Sequence, residues 1–207
     1  MVAGTRLPAT ASDARGLAAP GVIVDARMPM PIELERYPLH TRQVVCEGFR
    51  RSDGYYEFEG RLLDRKAHDL HLLFKQVPAG QPVHQMQVVL VVDQDWRVRE
   101  ARASSDAAPT PYCREIAAAY SNLQGLTIGR GFKRELLRLL GGERGCTHLT
   151  DLVEALATTV FQTLMTLRYD GRQAPGGATD DNPLRHVLGT CHAYRWDGPA
   201  ARKLSGP

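Results

Sequence analysis

The chain has 207 residues, 43% of them hydrophobic, and carries 26 basic against 23 acidic side chains for a formal net charge of +3. That length and apolar content suit one well-filled core, and interspersed charges of both signs argue against a dedicated nucleic-acid binder. No apolar run reaches the roughly 20 residues of a membrane helix, and the stretch from Val2 to Pro8 lacks an apolar signal core, so a cytoplasmic protein with no membrane partner is expected.

Residues 1–38 are rich in Ala, Gly and Pro and show no sustained period, which reads as a flexible N-terminal segment. A single α+β domain is expected over 39–170. Arg42 to Phe49 reads as a strand, Ser52-Asp53-Gly54 as a turn and Tyr55 to Leu63 as a second strand, making a β-hairpin. Pro78 to Pro82 breaks the chain, and His84 to Val92 becomes apolar on both faces, as a central strand does. Asp93-Gln94-Asp95 turns it back into a return strand from Trp96 to Ala103. The first half thus reads as an antiparallel sheet of about four or more strands.

Beyond Pro109 and Pro111 the pattern turns helical. Cys113 to Ser121 reads as a short helix, and Phe132 to Leu140 as a second one, closed by Gly141-Gly142. In the third, Leu149, Leu152, Val153, Leu156, Val160 and Leu164 recur at three and four residues and form one apolar stripe. Thr147 is its expected N-cap. From Gly171 a Gly/Pro/Asp linker leads into a C-terminal tail, so 171–207 is read as linker and tail.

Three cysteines stand at element edges: Cys113 after Pro111-Tyr112, Cys146 before the long helix and Cys191 before His192. A helix start favours thiolate over thiol. Soft thiolates and one imidazole are the ligand set of zinc or an iron–sulfur cluster, so Cys113, Cys146, His148 and Cys191 are the candidate metal ligands. The alternative is that they pack as small hydrophobes, as Cys46 inside a strand is expected to do. His84, opening the most apolar strand, is a candidate proton-transfer group beside Cys146 and His148. Asp64 is placed to orient a histidine or a metal, or else to form a plain surface ion pair. Arg42, Lys66 and Tyr112 are the candidate substrate-binding residues, cations being suited to an anion. Gly125 to Gly131 lacks the lysine and Ser/Thr of a phosphate loop, and no nucleotide cofactor is expected.

The runs His40-Thr41-Arg42, Arg51-Ser52-Asp53-Gly54, Glu59 to Lys66, Val83-His84-Gln85-Met86, Pro111-Tyr112-Cys113, Leu123 to Leu126 and Gly145-Cys146-Thr147-His148-Leu149 resemble a bacterial family, domain of unknown function 2889, from about His40 to the end of the long helix. The resemblance supports this choice of residues and implies no reaction. The order of parts, a sheet followed by cysteine-headed helices, is also similar to that of U-type iron–sulfur assembly scaffolds, which implies a thiolate site near the surface.

Together these readings predict an α+β fold with helices on one face of an antiparallel sheet. The expected function is a small catabolic enzyme of lyase or hydrolase type, using a metal (zinc or iron) or a thiolate on a carboxylate, aromatic or acyl-thioester small molecule. The alternative is a metal or iron–sulfur carrier without turnover. A homo-oligomer is possible in either case.

Overall fold

The structure is a computed structural model that describes residues 34–173 and 187–205. The segment read as flexible lies outside the described residues up to position 33, and most of the expected linker, 174–186, lies outside them too. All the elements below belong to the unit Tyr37–Pro207.

Four strands form one antiparallel sheet: β1 (His40–Arg50), β2 (Tyr56–Lys66), β5 (Pro82–Val92) and β6 (Val98–Ala107), in the spatial order β1-β2-β5-β6. Between β2 and β5 the chain makes a two-stranded ribbon, β3 (Leu70–His71) with β4 (Gln76–Val77). The first hairpin turns at Asp53-Gly54, where Gly54 takes φ +88°, and its register sets Arg42 opposite Asp64 and His40 opposite Lys66. The second pairing places Asp64 opposite His84, and a register shift then puts Arg65 opposite Pro82.

Side chains alternate across the strands, so one face of the sheet presents Phe58, Leu62, Met86, Val88, Leu90, Val92 and Val98, all buried. The opposite face carries ion pairs, Glu47–Arg61–Glu59 and Glu57–Arg102–Glu100 among them. Helix α3 (Thr147–Gln173) lies on the apolar face against β1, β2 and β5. Its predicted stripe, Leu149 to Leu164, is buried at every position. Gly60 of β2 permits the approach, because a Cβ there would sit 3.1 Å from Leu152 Cδ1. Helix α2 (Phe132–Leu140) buries Phe132, Leu136 and Leu140 in the same core. The α+β class and the helix-on-sheet arrangement are therefore those expected from sequence.

The expected helix over Cys113–Ser121 takes another form. One α-turn, α1 (Tyr112–Glu115), passes into a 3₁₀ helix over Ile116–Leu123. Its buried residues, Ala117, Tyr120 and Leu123, recur every third position, the period of a 3₁₀ helix rather than 3.6. The return strand begins at Val98, two residues later than expected, because the Asp93 carboxylate accepts hydrogen bonds from the Asp95 and Arg97 amides and Trp96 takes φ +64°. The tail forms a further helix, α4 (Pro199–Ser205), with Ala201 buried. The free edge of β6 is covered near its start, where Val98 and Ile128 donate to Leu126 and Trp96 carbonyls. Among the described residues no helix is long and apolar enough to cross a membrane.

Candidate functional site

Three cross-strand neighbours and the first turn of α3 converge at one end of the sheet. Asp64, near the end of β2, is 2% exposed. It survives there as a charge because it is met from both sides. Arg42 of β1 donates Nε to Oδ1 and an NH2 group to Oδ2, each at 2.8 Å, a two-pronged clamp. His40 Nε2 lies 3.3 Å from Oδ1, and His84 Nδ1 of β5 lies 3.0 Å from Oδ2. A carboxylate has about four acceptor positions, so these four contacts saturate it. Burial alone would push the Asp64 carboxyl up; Arg42, with His84 and His40, outweighs it and holds the group at about 2.

His84 is 9% exposed, and its ring stacks on that of His148 with centroids 3.8 Å apart and planes tilted by 30°. Both imidazoles lose proton affinity. For His84 burial acts first and the neighbouring His148 second, with the Asp64 charge opposing them; for His148 burial acts first and the Arg42 charge second. Both rings are therefore held in the neutral form at pH 7. With Nδ1 facing the carboxylate, the His84 tautomer that satisfies Asp64 carries its proton there, which leaves Nε2 as a lone pair for chemistry.

The helix start that delivers His148 is anchored by Tyr120. Its hydroxyl, on a fully buried ring, lies 2.8 Å from the Cys146 carbonyl and 2.8 Å from Thr150 Oγ1, and accepts from the Cys146 amide at 3.0 Å. The Cys146 carbonyl in turn accepts the Thr150 amide, so Cys146 stands at the cap position and the expected cap, Thr147, is already helical.

The structure brings together His84 and His148, with Asp64 as the third member; the three offer ligand atoms within 4.8 Å of one another. No such group among the described residues includes Cys113, Cys146 or Cys191. Each cysteine has a local reason. Cys113 contacts Thr110 Oγ1 at 3.2 Å, Cys146 rests partly buried against the core, and Cys191 is exposed in a turn of the tail. Arg42, a candidate substrate ligand, is committed to Asp64 and also lies 4.0 Å from Asp151. Tyr112 is exposed and meets Phe74 edge to face, with ring centroids 5.7 Å apart. Lys66 closes β2 at the rim of a recess beside His40. Sequence reasoning missed His40 and Tyr120 as parts of the site. Counting pairs back from the hairpin turn would have put His40 and Arg42 beside the end of β2, whereas nothing local to Tyr120 points to Cys146.

The fold and the site together define a two-layer α+β domain with a buried, arginine-clamped carboxylate behind a histidine pair. The family profile described as "Protein of unknown function (DUF2889)" matches residues 40–162, more than half of the chain and the span that holds every residue of this cluster, so the chain belongs to that family. No curated protein and no solved structure matches it.

Proposed function

We propose that this chain is an enzyme of lyase or hydrolase type acting on a small molecule, in which His84 takes up and returns the proton. Asp64 holds the imidazole in one tautomer and orientation, Arg42 keeps Asp64 ionised, and His148 forms the second wall of the site. The observation that carries this reading is the 3.0 Å contact from His84 Nδ1 to Asp64 Oδ2, on a carboxylate whose other acceptor positions are filled by Arg42 and His40. A carboxylate so placed orients and stabilises a histidine base without itself moving a proton. The low proton affinity of His84 keeps it competent as a base at neutral pH. A thiolate mechanism through Cys146 gains no support from a thiol that rests against the core.

Turnover of a panel of small carboxylates and acyl thioesters tests the reading. His84→Ala should lower kcat by about 10²- to 10⁴-fold, the usual contribution of a proton-transfer group, with the fold retained. Cys146→Ala should leave kcat within about twofold. Full activity in His84→Ala, or its loss in Cys146→Ala, refutes the proposal.

A second reading, a metal centre for catalysis or for carriage of the ion, is favoured by the mutual proximity of Asp64, His84 and His148. Because the Asp64 oxygens are saturated, zinc or iron would be met by the two imidazoles, with Asp64 as the outer carboxylate behind His84. Metal analysis of the purified chain separates the two readings. Near-stoichiometric metal that falls together in His84→Ala and His148→Ala supports the metal centre, and metal-free turnover supports proton transfer alone.

A further inference from the structure

At the same end of the sheet lies a recess of about 240 Å³ lined by Pro38, His40, Thr41, Leu63, Arg65 and Lys66, with Gln43, Ala67 and Gly80 completing it. No acidic residue lines it. Most other arginines of the strands and the first turn are neutralised: Arg42, Arg51, Arg61, Arg99 and Arg102 each meet a carboxylate within 4.0 Å, while Arg50 lies over the Tyr56 ring. Among the described residues, Arg65 and Lys66 have no ion-pair partner, and the Thr41 hydroxyl and Gln43 amide have no hydrogen bond. The rim is built on backbone, with Ala67 donating to the Leu39 carbonyl and Gly80 to the Lys66 carbonyl at 2.8 Å. His40 lines the recess while its Nε2 reaches Asp64, so the recess and the Asp64–His84 pair share a wall.

We propose that this recess binds the oxyanion of a small molecule, a carboxylate or a phosphate, through Arg65 and Lys66 with Thr41 and Gln43 as neutral donors. Two unpaired cations over a concave surface without acids form an anion site, and the volume suits a small molecule or the charged end of a larger one. Calling that molecule the substrate rests on the proton-transfer reading; the binding itself does not.

The test is an NMR titration of the full chain with benzoate in one arm and inorganic phosphate in the other. Saturable shifts at the Thr41, Gln43, Arg65 and Lys66 amides are expected in at least one arm, and the arm that saturates at lower concentration names the oxyanion. The double variant Arg65→Gln/Lys66→Gln should weaken that binding about tenfold or more. A control that removes equal charge elsewhere, Arg130→Gln/Lys203→Gln, should stay within about twofold. Absence of saturable binding in both arms, equal loss in the control, or unchanged affinity in the double variant overturns the proposal. Binding that needs Arg65 and Lys66 while turnover survives His84→Ala would retain the recess and refute only the proton-transfer reading.

Discussion

Replacing Asp64 by Asn probes the centre of the site through the acid stability of the whole chain. In the folded protein the carboxyl is held at about 2, against 3.8 for an ordinary aspartate. A depressed acid stabilises the fold at pH values above its unfolded pKa, and that contribution is lost as pH falls through the folded one. Holding Asp64 at about 2 corresponds to roughly 2 kcal/mol at 1.36 kcal/mol per tenfold, most of which is gone by pH 2. The conversion suits a side chain only 2% exposed. Urea denaturation from pH 5 to pH 2 reads it directly, since at a slope of about 2 kcal/mol per molar the wild-type midpoint should fall by about 1 M more than that of Asp64→Asn. Parallel midpoint curves for the two proteins would refute the clamp.

The histidines give a second window: both titrate below their ordinary 6.5, so the unfolded chain binds protons more readily, and stability should be whole above pH 6.5 and decline below it. His148→Gln should flatten that decline in the same urea series. Tyr120→Phe removes a hydroxyl with three buried contacts and should cost about 1–3 kcal/mol, lowering the melting temperature by several degrees, with the α3 end showing the largest loss of amide protection; an unchanged melting temperature would mean the anchor is idle. Gly60→Ala sets a methyl against Leu152 and should destabilise by about 1–3 kcal/mol on thermal unfolding, whereas a gain in stability would show that α3 can move away without cost.

The hairpin, the central strand and the stripe of α3 were legible because each is written locally, in a turn tripeptide, an apolar run and a three-four spacing. Leu149 to Leu164 face the core as their spacing requires. The histidine pair was legible as two separate candidates and not as a contact, since His84 and His148 meet only once a helix begun some sixty residues later is laid across the sheet. The cysteines were legible as candidates by position alone, since a position at a helix start speaks to reactivity and not to which other segments come near. The register of β2 on β5 depends on a pairing across the β3–β4 ribbon, so Asp64 was legible as able to orient a histidine or a metal, and only the fold shows that the histidine is His84.

β1 carries two of the side chains that hold Asp64, and among the described strands it is hydrogen-bonded along one side only. Most of its residues are open to solvent, while β2 and β5 are locked beneath α3. The outer strand of a sheet is a common first place for local opening. Peeling it back would strip Arg42 and His40 from a carboxylate that stays behind in the core, and the chain would then keep its helices and most of its sheet with Asp64 unclamped. The outermost strand is thus the part on which the charge buried at this end of the sheet depends.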